Sequence, residues 1–224
     1  MHMTPSNMFR QSARFGIIPV FLVLSACADE GGTGPASAPS FPELDAEVTT
    51  FNSQFTLGTN PTNPSSAVMG STTYNGVVSI VVNDASRFGA GQDLTLLGDM
   101  EVTTDFSADT ISGFAKDFSD SDNDTYSGQL DIAGAVEDDV GAGQPAIVAG
   151  INGSLTNDRN SEVTTLSGST TGNPNAAFTG DFYGTNRLFI GGTITGELEI
   201  GSDTYTLNGG SGVTEGTGGF LGGQ

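Results

Sequence analysis

Histidine, cysteine, tryptophan and basic side chains are nearly missing from this chain: of 224 residues one is His, one is Cys, none is Trp and six are Lys or Arg. The one histidine, His2, sits in a leading segment expected to be removed. Without imidazole, the remainder has no Ser-His-Asp or Cys-His nucleophile system, no histidine general base and none of the usual zinc sites. Acid–base chemistry would rest on carboxylates, tyrosines or Lys116, and no paired-carboxylate motif of the glycosidase kind is visible. No enzymatic activity and no cofactor are expected. One cysteine, Cys27, permits no disulfide within the chain. After it only Arg87, Lys116, Arg159 and Arg187 are basic, against all 26 acids, which leaves −22. Such a charge repels nucleic acid and anionic lipid. It suits a basic partner or divalent cations, and equally solubility alone.

The leading residues carry Arg10 and Arg14 and no acid, followed by an apolar run from Phe15 to Leu24 broken only by Gly16 and Pro19. A transmembrane helix needs about 20 apolar residues. This run has instead the length of a signal-peptide hydrophobic region, with the positive charge on the correct side. It ends in Leu24-Ser25-Ala26-Cys27, an aliphatic residue, two small ones and Cys, which resembles the site cut by the lipoprotein signal peptidase. Residues 1–26 are therefore expected to be an export signal, and Cys27 the lipid-bearing first residue of the mature chain. Lasting attachment takes more than one acyl chain. Ala28 follows the cysteine and Asp29 comes one place later, so by resemblance to the enteric sorting rule the expected destination is the outer membrane.

Residues 27–41 read as a flexible tether, rich in Gly, Pro, Ala and Ser over 28–40. Leu44, Val48, Phe51 and Phe55 then recur at helical spacing. With Pro42 as a good first helical residue and Glu43 at the positive helix end, a helix over 42–56 is predicted within a segment 42–58. It should pack on or plug the main domain, and 59–66 should be a loop. From residue 67 to 224 the period is two, and about eight strands are expected between 70 and 208. Val77, Val78, Ile80, Val81 and Val82 form one apolar strand; Leu94, Leu96, Met100, Val102 and Phe106 share a register on the next. Leu188, Ile190, Ile194, Leu198 and Ile200 share another, opposite Thr193, Thr195, Glu197 and Glu199. Gly98, Gly128, Gly134, Gly153, Gly192 and Gly196 fall on the apolar registers, where they would let a sheet coil. The predicted class is all-β: an eight-stranded antiparallel up-and-down β-barrel with a short N-terminal helix, a sandwich being the structural alternative.

Residues 178–193, FTGDFYGTNRLFIGGT, contain Gly180, Phe182, Tyr183, Gly184, Gly191 and Gly192 in the pattern Gly-x-Phe-Tyr-Gly, turn, Gly-Gly. Upstream, Tyr74 and Gly76 stand in TTYNG, and Asp105, Phe106 and Gly113 in DFSADTISG. In this order the three segments resemble the barrel of the transferrin-binding protein B family of surface lipoproteins. Arg187, Leu188 and Phe189 stand where that family commonly has a small residue and an acid. The resemblance implies a surface-exposed lipoprotein whose barrel rim binds a protein or a metal or haem carrier. The chain has room for one barrel and no handle domain or second lobe, so transferrin itself is not the expected partner. Residue by residue the motif reads as mainly structural, with one of Phe182 and Tyr183 packed inside and the other on the outer face or rim.

Two other readings compete. A lipocalin-like pocket could hold a small ligand; for haem the axial candidates would be Tyr74, Tyr126, Tyr183, Tyr205, Met69 or Met100. Asp120, Asp122 and Asp124 alternate as at the start of a calcium loop, with Asp131 at its twelfth position, but Thr125 replaces the glycine of the sixth. A solvated hairpin loop is the simpler reading. A structural envelope role needs no ligand at all.

Overall fold

Alternating polarity sends one face of each strand inward. In the strand Asp93–Asp105 Leu96, Met100 and Val102 are fully buried while Glu101 is exposed; in the strand Ile147–Asn157 Ile147, Ile151 and Leu155 are buried while Val148 and Ser154 face water. The computed structural model describes residues 38–57, 70–84, 87–88, 93–137, 146–168, 176–184, 187–207 and 215–224. The expected export signal 1–26, Cys27, nearly all of the expected tether, Met69 and the expected loop 59–66 lie outside them.

One helix, α1 (Phe41–Leu57), precedes ten strands: β1 (Ser71–Asn83), β2 (Asp93–Asp105), β3 (Thr110–Asp120), β4 (Thr125–Val136), β5 (Ile147–Asn157), β6 (Val163–Ser167), β7 (Ala176–Tyr183), β8 (Phe189–Ile200), β9 (Asp203–Leu207) and β10 (Glu215–Gly223). Neighbours pair antiparallel from β1 to β5, on through β7, β8 and β10, and β10 returns to β1. The result is the expected closed, eight-stranded antiparallel barrel. Two staves are divided. β6 continues the line of β7 between β5 and β8, and β9 lies between β8 and the start of β10.

The closing strand falls beyond the expected 70–208 range. β10 reads EGTGGFLGG, and glycine is depleted from strands in general, so its sequence signals a loop. Its one ring, Phe220, is accommodated by glycines on the neighbouring strands. Phe220 pairs with Gly192, which pairs with Gly180, and a Cβ on either glycine would meet the Phe220 ring at 2.8 and 2.7 Å. The ring lies across two bare backbones and stacks on Phe178, centroids 3.6 Å apart and planes 14° apart. Phe118 lies over Gly98 in the same way, at 2.5 Å from a built Cβ. Glycines on the inward register thus make room for aromatic rings. Phe118, Phe178, Phe220, Met100, Ile80 and Tyr205 fill the interior at 0–2 % exposure, a density at which loss of even a methylene is felt.

Hairpins repeat one device. The last residue of a strand turns its carboxylate or amide oxygen onto the amides of the turn. Asp105 accepts from Ser107 and Ala108, Asp120 from Asp122 and Asp124, and Asn157 from Arg159 and Asn160. A left-handed residue closes each turn: Asp109 (φ 53°), Asn123 (φ 64°) and Ser161 (φ 62°).

Helix α1 begins one residue earlier than predicted. Ser40 caps it, its amide and hydroxyl both donating to the Glu43 carboxylate at 2.8 and 2.7 Å. The helix lies on the outer wall and does not plug the barrel. Leu44 is buried against Val77 and Leu97, with Phe41 and Val48 alongside. This explains why β1 is apolar on both registers: Val78, Ile80 and Val82 face the core, while Val77 faces the helix. No described helix is long and apolar enough to cross a membrane.

Candidate functional site

The three motif segments meet at one barrel end, formed by the start of β1, the β2–β3 hairpin, the β7–β8 turn and the end of β10. Tyr74 and Phe182 point inward from their strands and Phe106 folds in from the hairpin. Ring centroids are 6.0 Å apart for Tyr74–Phe182 and 5.4 Å for Phe106–Phe182, all tilted. Over them lies Arg187, 1 % exposed, its guanidinium carbon 4.4 Å from the Phe106 centroid and 5.4 Å from that of Phe182. A desolvated cation on an aromatic face gains about 2 kcal/mol. The Arg187 carbonyl accepts from the Tyr74 hydroxyl at 2.9 Å and from Gln224 Nε2 at 2.8 Å, and the Gln224 amide donates to Leu188 O at 3.1 Å.

Turn geometry places these groups. Gly184 (φ 76°) and Arg187 (φ 59°) both adopt left-handed backbone, and the Arg187 amide donates to Gly184 O at 3.3 Å. Arginine at positive φ is uncommon. Here it swings its side chain into the barrel and the next residue out of it. Leu188, expected on the inward register with Ile190, is instead 42 % exposed and outside β8, while Ile190 is fully buried. Phe182 is buried; its neighbour Tyr183 lies outside, opposite Phe189.

The motif glycines serve close strand approach. A Cβ would lie 2.0 Å from Leu221 O at Gly76, 2.1 Å from Glu101 O at Gly113, 2.3 Å from Gly191 O at Gly180 and 2.1 Å from Thr179 O at Gly192. Gly191 is buried opposite Asp181 and Leu221. Asp105 is the hairpin cap already described, and Asp181 accepts the Ala146 amide at 3.1 Å. At this arginine end, burial pushes the Tyr74 hydroxyl above its ordinary pKa, with Gln224 and Arg187 opposing. An always-charged guanidinium and a neutral phenol hold shape and charge; neither exchanges a proton near neutral pH.

The opposite end is built from carboxylates. Asp120, 4 % exposed, accepts the Asp122 and Asp124 amides on Oδ1 at 2.9 Å each and the Tyr126 hydroxyl on Oδ2 at 3.0 Å. Both Asp124 oxygens face Arg159 Nη1, at 2.7 and 2.9 Å. Asp122 is exposed. Asp131 lies away from the loop, on the outer face of β4 opposite Asn152. Among the described residues no group of three or more His, Cys, Asp or Glu is placed to hold a metal ion. Across the end Asp84 accepts the Tyr205 hydroxyl at 3.0 Å, and Arg87 joins Glu162, Asp203 and, at 3.1 Å, Ile200 O. Burial and Asp84 push Tyr205 up to about 12. Burial raises Tyr126 further, against an opposing bond from Asn157.

Of the haem-ligand candidates, Tyr74, Tyr126 and Tyr205 donate their hydroxyls to protein acceptors, Met100 is in the packed core and Tyr183 is outside the barrel. Sequence reading had no role for Arg187, Gln224 or Phe220. One signal was available for Arg187: a chain with four bases after residue 27 places one of them beside its most distinctive aromatic motif. No protein-family model, no curated protein and no solved structure matches this chain.

Proposed function

We propose that this chain is a lipid-anchored outer-membrane lipoprotein displayed at the cell surface, acylated on Cys27, whose barrel is a rigid binding module and not an enzyme. Its partner is a protein, a carrier of metal or haem being one such class, engaged through loops at the barrel rim. The observation that carries the reading is the meeting of the three resemblance-bearing segments in one aromatic–arginine layer. Segments that are spread over more than 100 residues of sequence support each other only if the resemblance extends to the fold. The filled interior favours the rim over a lipocalin-like pocket as the place of contact.

Charge supports a basic partner over nucleic acid. The four bases after the leader are engaged within the domain: Arg87 with Glu162 and Asp203, Lys116 with Asp117 at 3.4 Å, Arg159 with Asp124, and Arg187 against aromatic rings. The outward field is therefore that of the acids.

Anchoring is tested with Cys27→Ser in the producing bacterium. The parent should partition with outer membranes and the variant should be released; equal partitioning sinks the lipid anchor. Protease added to intact cells should remove the barrel, and survival until permeabilisation sinks surface display. Binding is tested by chemical cross-linking on intact cells with Leu188→Asp as comparison. A partner that cross-links to the parent and not to the variant supports rim binding, and identical cross-links exclude that rim.

A further inference from the structure

Helix α1 is held by few contacts and opposed by charge. Its buried anchor is Leu44, supported by the half-buried Phe41 and Val48 on Val77 and Leu97. At its start Ser119 Oγ donates to Pro39 O at 3.0 Å, beside the carboxylate end. Further along, Phe51 reaches Gly223 at the arginine end, where a built Cβ would meet its ring at 3.1 Å. The helix therefore spans the barrel wall lengthwise. Between these points Glu47 is half-buried against Asp99 of β2, with Glu101 on β2 and Asp117 on β3 behind it. Among the described residues Lys116 is the one base facing this cluster, and it sits 3.4 Å from Asp117. β1 carries no charged residue, and the described side chains of β10 carry none. Burial raises the pKa of Glu47, and Asp99 raises it further. Burial likewise raises Asp99, as do Asp117 and Glu101, against Lys116 and the Met100 amide.

The segment makes a poor helix alone. FPELDAEVTTFNSQFTL contains Thr, Asn, Ser and Phe throughout its second half, weaker helix formers than Ala or Leu, and helices in proteins draw most of their stability from packing of one face. Undocking and melting are thus one event. We propose that α1 is a pH- and salt-sensitive latch, which closes on the β1–β2 wall as the acids beneath it are protonated or screened and loosens as they are charged. Closing brings like charges into contact, so protons and salt favour it; both carboxyls bind protons more tightly docked than free, so docking weakens as pH rises through their range. Opening would turn a rod of about 25 Å into coil next to the tether. That consequence for reach rests on the lipid-anchor reading; the latch itself does not.

The test is amide hydrogen exchange of the full chain at pH 5.0 and 7.5, expressed as protection factors so that intrinsic chemistry cancels. Amides of 45–51 should be protected about 1.5- to twofold more at pH 5.0, the range expected of one like-charge contact, while β5 amides stay constant. At pH 7.5 Glu47→Gln, or 0.5 M NaCl, should restore the pH 5.0 value, and Asp45→Asn on the exposed side should not. Leu44→Ala should abolish protection of 45–51 at both pH values with β5 unchanged. Equal protection of the parent at both pH values, or a Glu47→Gln chain that follows the parent, overturns the latch. Loss of membrane release in Cys27→Ser would overturn the anchor and leave these exchange results untouched.

Discussion

At the arginine end the barrel is closed by three aromatic rings around a guanidinium, whereas at the carboxylate end it is closed by acids that accept backbone amides and phenol hydroxyls. Both ends face the same problem. A closed sheet leaves its last side chains and turn amides between core and water, and each buried polar group there needs a partner. The arginine end meets it with a group that stays charged at any pH the fold survives. The carboxylate end meets it with acids that accept from turn amides and from phenols whose pKa burial raises. Near neutral pH the arginine end should therefore be indifferent to pH; in alkali its buried Tyr74 titrates late, as the phenols of the other end do.

The largest effect should come from breaking the arginine end. Phe182 is fully buried and touches Tyr74, Phe106 and Arg187. Phe182→Ala removes the ring on which the cation and both aromatics rest, and should cost about 3–5 kcal/mol. Urea unfolding followed by circular dichroism should return the same loss at pH 6 and pH 8. A loss that differed between the two would mean that titrating groups hold this end as well.

Asp120→Ala breaks the carboxylate end by a smaller amount. Three accepted hydrogen bonds disappear, leaving the Tyr126 hydroxyl and two turn amides to find water, for about 2–3 kcal/mol. The same device at the arginine end, Asp105, is half-buried and caps two amides, so Asp105→Ala should cost about 1 kcal/mol. Equal losses in paired urea titrations would show that burial of the cap is not what separates the ends.

The carboxylate end also predicts how the protein fails in alkali. Tyr205 is pushed up to about 12 and Tyr126 is raised too, both chiefly by burial. In the unfolded chain a tyrosine ionises near pH 10. Between that pH and about 12 the folded state holds protons that the unfolded state has lost, so stability is intact below pH 10 and falls through this window. Tyr205→Phe, which cannot ionise, should flatten part of the fall in denaturant midpoints between pH 9.5 and 11.5. An unchanged slope would place the alkaline sensitivity elsewhere.

How much of this was legible in the sequence follows from which forces leave a local trace. Inward alternation writes itself on most strands, so β2, β4, β5 and β8 and the barrel class could be read from Leu96, Tyr126, Ile151 and Ile194 and their neighbours. The helix announced itself through the spacing of Leu44, Val48 and Phe51. β10 left no trace because its glycines answer to side chains on other elements: Gly218 faces Ile194, Gly222 faces Met100 and Ile190, and Gly223 faces the rings of Phe51 and Phe189. The site was half legible. Tyr74, Phe106 and Phe182 stood out by type and order, but nothing in a linear pattern says that they meet. Arg187 stayed hidden since a single left-handed residue inverts the register, and no periodicity records a φ angle.

Leu188 turns that inversion into the smallest and most discriminating prediction. By alternation with Ile190 and Ile194 it is a core residue, and Leu188→Ser should then cost about 2–5 kcal/mol, as buried leucines do. By the positive φ of Arg187 it is an exposed rim residue, and the change should stay within about 0.5 kcal/mol. Ile190→Ser, two positions on and fully buried, supplies the contrast in the same urea titration. A large loss at both positions would mean that Arg187 does not enter the barrel, and the aromatic layer would need another lid. A loss at Ile190 alone fixes the turn as described, with the guanidinium inside and the leucine presented at the rim.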